Sequence, residues 1–282
     1  MDFPKKHHMI PHPIGTADGI RQLDQLLQTL LPTLSPADWA AQTVAKLWKV
    51  KDVVAHLLDG NIRTLSMLRD GYFGEQPGEE SLVEFLNRLN ADWVQAMKRV
   101  SPEMLILLHQ LTGPRYCEYI ESFDLDADAV FPVDWAAEPY RSKNWMHIAR
   151  EYTEKWLHQQ QIRAAIGDDS LLEPDLFIPF MNTFMIGMPR QLSRYHFPEG
   201  RTIQIEVSGK SPMIWYLAHK GGNWVFIDQP SLPTTAKVIL PADVAWKLFS
   251  KSIRYDEVGK KIQLFGEKSL ARAAVDLVAV MA

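Results

Sequence analysis

The chain has 282 residues, 46% of them hydrophobic and 23% charged, with a formal net charge of −4. That length accommodates two folded cores, the balance is that of a globular protein, and the slightly acidic charge excludes nucleic-acid recognition through a basic surface. One cysteine, Cys117, excludes both an internal disulfide and a cysteine-rich zinc site.

The opening segment MDFPKKHHMIPHPIG has three prolines, no sustained period and no apolar run of the signal-peptide kind. Residues 1–15 are therefore expected to form an arm. No stretch approaches the roughly 20 apolar residues that cross a bilayer, so the expected location is the cytoplasm, with no membrane partner. Ile20, Leu23, Leu26, Leu27, Leu30 and Leu31 make a helical face stopped by Pro32. Ser35, Pro36 and Asp38 start another helix, with Trp39, Val44 and Leu47 as its expected apolar contacts. From Trp48 to Gly74, Val50, Val53, Val54, Leu57, Leu58, Ile62, Leu65 and Leu68 give a broad stripe that Gly71 and Gly74 end. A further helix is predicted from Ser81 to about Met97, and a shorter one from Pro102 to Leu111.

Residues 113–143 read as irregular. An EF-hand beginning at Asp124 would need glycine and glutamate where Ala129 and Trp135 stand, so calcium is rejected there. A strong helix follows from Lys143 to Ile166, closed by Gly167, and another from Leu171 or Pro174 to Met188, stopped by Pro189. After Arg201 the period changes. TIQIEVSG, MIWYLAHK, NWVFID and AKVILP read as a strand meander, with Gly221-Gly222 as a hairpin turn. Helical spacing returns at 242–249 and 269–281, around a short strand at 261–265. The predicted architecture is a helical bundle over residues 16–190 and a small α+β domain over residues 200–282, with the boundary near 190–200.

The chemistry concentrates in HIAREYTEKWLHQQQIRAAIG. At roughly 100° per residue His147, Glu151, Glu154 and His158 fall within an arc of about 60°, where an inward helix face would ordinarily be apolar. Glu154 and His158 are separated by about 6 Å of rise and can share one ion, whereas His147 and His158 are about 16 Å apart and cannot. Glu151 is placed to support the site from behind. A third ligand should come from a facing helix. His56 offers one, because an unpaired ring nitrogen amid VVAHLL would be costly. Two histidines, one glutamate and open positions make the pattern of a catalytic zinc site. Spacing leaves other readings open: an E-x₃-H pair also fits a solvated helix contact, and a histidine in an apolar helix also fits a satisfied core residue.

The motifs W-x-V-K-D-V-V-A-H-L at Trp48–Leu57 and E-x-x-x-H-Q-Q-Q-I-R at Glu154–Arg163 resemble the N-terminal domain of mycothiol-dependent maleylpyruvate isomerases, within the DinB-like four-helix-bundle superfamily. The resemblance spans about residues 20–188 and implies such a bundle. It implies one divalent metal ion, expected to be zinc, held by His56, Glu154 and His158. Many superfamily members have a third histidine in place of the glutamate, so Glu154 points to the isomerase-like branch. At Gln161 relatives often carry Asp, and the position is taken as supporting structure. The tail, with Ala236–Leu240, the helix after Pro241, the I-Q-L-F-G-E run and the last helix in order, resembles a sterol-carrier domain.

What this implies is a metal-dependent enzyme that acts with a low-molecular-weight thiol on a small molecule, by cis–trans isomerisation or thiol transfer. An open zinc position would favour a thiolate that adds to an electron-poor double bond. Arg63, Arg150 and Arg163 are candidates for substrate carboxylates, although an arginine near a helix end also serves as a salt-bridge partner. Cys117 lacks an evident base. Two alternatives stand beside this reading: a metal-binding stress or regulatory protein without turnover, and a carrier of apolar ligands using Trp215, Trp224 and Phe226. A homodimer is compatible with either reading.

Overall fold

Helix starts in the first half follow from local capping. In the computed structural model, which describes residues 14–131, 133, 142–210 and 212–279, Ser35 and Ser81 each begin a helix. Each takes the backbone N–H three residues on and is answered by the carboxylate of Asp38 or Glu84. Residues 1–13 of the arm predicted over 1–15, and part of the loop after Phe131, lie outside the described residues.

The described chain divides into two compact units, one over 15–131 and 143–171, the other carrying 172–210 and 212–279. The first contains α1 (Ala17–Leu30), α2 (Pro36–Trp39), α3 (Val50–Thr64), α4 (Leu82–Met97), α5 (Pro102–Glu121) and α6 (Asn144–Ala165). Helices α1 and α3 each pack against both α5 and α6, and α4 packs against α3. That is the expected bundle. Leu27, Val50, Val54, Leu58, Leu105 and Ile162 lie buried at its centre, and the Trp93 indole N–H donates to the carbonyl of Ala55 at 2.8 Å.

Two expectations in this unit are corrected. The cap at Ser35 is present, but α2 lasts four residues, and Leu47, expected as a packing residue, is 93% exposed. Helix α5 does not stop before Gly113. It runs through Pro114 to Glu121, with Tyr116, Cys117 and Ile120 fully buried beyond the proline. Burying those three side chains is worth about 1.5–3 kcal/mol for each large one, which offsets the roughly 3 kcal/mol a proline costs a helix interior.

The second unit begins with α7 (Pro174–Met185) and α8 (Met188–Ser193), then β1 (Thr202–Ser208), β2 (Met213–Lys220), β3 (Asn223–Ile227) and β4 (Ala236–Pro241). It ends with α9 (Ala242–Phe249), α10 (Tyr255–Val258), β5 (Gln263–Gly266) and α11 (Lys268–Val275). Helix α7, which lies within the predicted bundle, and α8, which crosses into the predicted boundary near 190–200, both group with the sheet, and Pro189 opens α8 rather than ending a longer helix. The strand order is β3-β2-β1-β4-β5, with β1 and β4 parallel and every other pair antiparallel. Ile203, Ile205 and Val207 face Leu217, Trp215 and Met213 across one side, and Ala236, Val238 and Leu240 across the other. Helices α9 and α11 pack on β1 and β4, which places this row in the core.

The expected Gly221-Gly222 turn joins β2 to β3. Both glycines have positive φ, as a tight hairpin demands, and both amides donate to the Glu199 carboxylate, at 2.6 and 3.3 Å. Trp215 is buried with its indole N–H donating to Asn182 Oδ1 at 3.0 Å, and Trp224 packs on the rings of His219 and Phe197. No helix among the described residues is long and apolar enough to cross a membrane.

Candidate metal centre

Helices α3 and α6 run side by side in the bundle. The one histidine of α3 and the E-x₃-H pair of α6 meet there. One ligand atom from each of His56, Glu154 and His158 lies within 4.8 Å of the others. The two imidazole rings stand edge to face with centroids 4.6 Å apart, and His158 Nε2 is 3.3 Å from Glu154 Oε2. Trp48, just ahead of α3, closes one side, its ring centroid 4.7 Å from His56 and 6.1 Å from His158.

The donor set fits a divalent ion. His56 Nδ1 is buried with no hydrogen-bond partner, a state that costs about 1–3 kcal/mol for a neutral polar atom. Burial, the nearby His158 and then Arg63 push the His56 pKa well below its usual range, so the ring is neutral and its lone pair is available. His158 Nδ1–H donates to Gln161 Oε1 at 3.0 Å, which directs Nε2 toward the cluster. Glu154 is more exposed than His158.

The three side chains line a small cleft together with Leu57, Gly60, Tyr116, Glu151 and Lys155. Glu151, the expected supporting residue, accepts from Tyr116 Oη at 3.0 Å and from Arg150 at 3.1 Å. Burial alone would raise its carboxyl, but Arg150, His147 and the Tyr116 hydroxyl outweigh that and hold it below the usual carboxylate range. His147 lies away from the cluster, as its spacing requires. It stacks on Phe123 and accepts from Arg150 at Nδ1.

The three arginines expected to meet substrate carboxylates are each engaged inside the unit. Arg63 pairs with Asp59 and donates to Asn90 Oδ1 at 2.8 Å. Arg150 bonds His147 and Glu151. Arg163 pairs with Asp168 and donates to Ser170 Oγ, the Leu26 carbonyl and Gln159 Oε1. None of the three lines the cleft. Cys117 is buried in α5, and burial followed by the Asp24 carboxylate pushes its thiol up to about 12, so it is no thiolate at neutral pH.

Sequence reasoning missed Trp48, Gly60, Tyr116 and Lys155 as neighbours of the cluster. Gly60 is four residues beyond the candidate ligand His56, and Lys155 four beyond the supporting candidate Glu151, so helical spacing from residues already singled out could have found both. Tyr116 arrives from α5, and no spacing rule reaches it.

The geometry defines a helical-bundle protein with a two-histidine, one-glutamate cluster at a cleft, joined to an α+β unit. The model of the family described as "Mycothiol maleylpyruvate isomerase N-terminal domain" matches residues 20–163, and the chain belongs to that family. The match contains all three cluster residues.

Among solved structures, the chain is similar to the mycothiol-dependent maleylpyruvate isomerase at 13% identity, covering 88% of this chain and 92% of that one, with a TM-score of 0.52. A histidine-to-alanine mutant of that enzyme matches at 12% identity over the same shares, also with a TM-score of 0.52. At these identities the likeness is one of fold. A structure described as "UbiJ-SCP2 Ubiquinone synthesis protein" matches at 18% identity over 42% of this chain and 92% of that one, with a TM-score of only 0.24. No curated protein matches the chain.

Proposed function

We propose that this chain is a zinc-dependent enzyme that uses a low-molecular-weight thiol to isomerise, or to form a conjugate with, a small electron-poor alkene, with His56, Glu154 and His158 as the metal ligands. The observation that carries the reading is the meeting of these three side chains, with one ligand atom from each within 4.8 Å of the others, in the lining of a cleft. Family membership supports the thiol and the reaction class.

Three protein ligands leave a position for a substrate or cosubstrate atom, as in catalytic rather than structural zinc sites. When bound there, a divalent ion lowers the pKa of a thiol enough to supply thiolate at neutral pH. The chain's own groups set the conditions for this. Gln161 fixes the His158 tautomer, the low pKa of His56 keeps its ring from competing as a cation, and Trp48 shields the two rings on one side. Tyr116 and Arg150 hold Glu151 as a fixed carboxylate in the cleft wall. In the isomerisation a C–S bond forms while the C=C π bond opens, the resulting single bond turns, and the C–S bond breaks to release thiol and the trans product.

The test is turnover of a cis α,β-unsaturated acid by zinc-loaded protein, followed by absorbance, with mycothiol and other thiols supplied separately. Thiol-dependent turnover that disappears in His56→Ala is expected. Zinc binding with no turnover across the thiols would instead make the chain a metal-binding protein without catalysis.

A further inference from the structure

The two histidines of the cluster are held in different ways. His158 donates to Gln161, but His56 makes no hydrogen bond through either ring nitrogen among the described residues. Metal-bound histidines ordinarily have a hydrogen bond behind them that fixes the rotation of the ring. His56 has ring contacts instead, with Trp48 at 4.7 Å between centroids and with His158 at 4.6 Å. Trp48 is outside the cleft lining, so its part in the site runs through the rings it touches.

Trp48 is itself placed by a loop, residues 41–49, that is closed by its own polar groups. At the mouth of the loop the Val50 N–H donates to the Ala41 carbonyl at 3.0 Å. Inside it the Trp48 carbonyl accepts from the Thr43 hydroxyl at 2.7 Å, the Gln42 amide at 2.9 Å and the Thr43 N–H at 3.3 Å. The same Gln42 nitrogen lies 3.2 Å from the carbonyls of Thr43 and Ala45 and 3.3 Å from that of Lys46. Its N–H groups are thus shared among four carbonyls, and one side chain gathers the loop from within. Leu47 stands in solvent and gives the loop no apolar anchor.

We propose that Gln42, Thr43 and Trp48 are positioning residues of the metal centre: the loop built on Gln42 and Thr43 holds the Trp48 ring against His56, and that contact sets the His56 imidazole in the orientation that binds the ion. The proposal rests on the reading of His56, Glu154 and His158 as metal ligands. Trp48 does for His56 by packing what Gln161 does for His158 by a hydrogen bond. Zinc affinity then depends on Gln42, a side chain bonded to none of the three ligands and outside the cleft lining. Trp48 also packs against the bundle core, so a loss of stability alone does not separate the two roles.

The test has one arm with metal and one without. With metal, zinc affinity is measured by competition with a chelating dye, on protein shown to be folded by its urea midpoint. Gln42→Met keeps the length of the side chain without its donors, and Trp48→Leu keeps apolar bulk without a ring. Each is expected to lower zinc affinity about tenfold or more. Trp48→Phe restores a ring and should stay close to wild type. Without metal, the carbon-bound ring protons of His56 are followed by nuclear magnetic resonance in histidine-labelled protein, assigned through His56→Ala. The Trp48 ring current should displace them in wild type, and the displacement should be lost in Trp48→Leu and reduced in Gln42→Met. The His158 ring, 6.1 Å from Trp48 and bonded to Gln161, should move less. Wild-type zinc affinity in Trp48→Leu, or a loss in Trp48→Phe as large as in Trp48→Leu, would overturn the proposal. Wild-type affinity in Gln42→Met would overturn the part assigned to Gln42. Wild type that binds no zinc would defeat the metal reading, while the ring protons of the metal-free protein still show whether the loop holds His56.

Discussion

His158 donates from Nδ1 to Gln161 Oε1 at 3.0 Å, one helical turn further along α6. That bond sets the tautomer and holds the ring with Nε2 beside Glu154. Gln161→Leu removes the acceptor and is expected to lower zinc affinity by about 10–100-fold, read by competition with a chelating dye. Gln161→Glu keeps an acceptor and should stay close to wild type. An unchanged affinity in Gln161→Leu would remove Gln161 from the site.

Much of α6 is legible in the sequence because its polar arc breaks the rule that an inward face is apolar. Glu154 and His158 share that arc, and their spacing alone brings them together. His56 is different. Periodicity on α3 says which residues are buried, but not which face of another helix they meet, so its role came with the resemblance to a family.

Tyr116 was hidden behind an error of the same kind. Gly113-Pro114 reads locally as a helix end, yet the burial of Tyr116, Cys117 and Ile120 carries α5 across it. Local chemistry also starts α2 correctly at Ser35 but does not tell how far it runs. The order of strands and helices in the second unit was readable from the change of period. The grouping of α7 and α8 with the sheet was not, because it depends on packing between distant segments.

Gly113 makes room for a buried carboxylate. A Cβ there would sit 2.3 Å from Asp24 Oδ1, and Asp24 is itself buried, held by Gln28. Gly113→Ala is expected to destabilise the protein by about 1–3 kcal/mol in urea unfolding, the usual cost of overpacking. The same change in an ordinary helix interior would stabilise it, so a raised urea midpoint would contradict the close approach of Asp24.

Arg163 ties α6 to the Leu26 carbonyl of α1 and to Asp168 and Ser170 beyond its own end. Its side chain is 7% exposed. Arg163→Ala should therefore cost about 2–3 kcal/mol of stability, with the discount that Asp168 is partly solvated. Turnover per folded molecule should keep its KM. A large rise in KM at unchanged stability would return Arg163 to the role of a substrate contact.

His109 is buried on α5 with Nε2 at 3.0 Å from the Val54 carbonyl, and burial pushes its pKa down from 6.5 to about 4. Between those values the unfolded chain takes up a proton that the folded chain refuses, so stability falls as the pH falls. His56 and His147 are shifted in the same direction and add to the effect. In metal-free protein, His109→Gln should reduce the loss of stability between about pH 7.5 and about pH 5 by about 2 kcal/mol, measured by urea midpoints. An identical pH dependence in the variant would show that His109 is protonated in the folded state.

The central claim is that His56, Glu154 and His158 together hold one metal ion, and elemental analysis of purified protein tests it most directly. Wild type should carry about one zinc per chain, while His56→Ala, Glu154→Ala and His158→Ala, each checked for helical circular dichroism, should carry almost none after dialysis. Equal, near-stoichiometric zinc in all four proteins would contradict the claim.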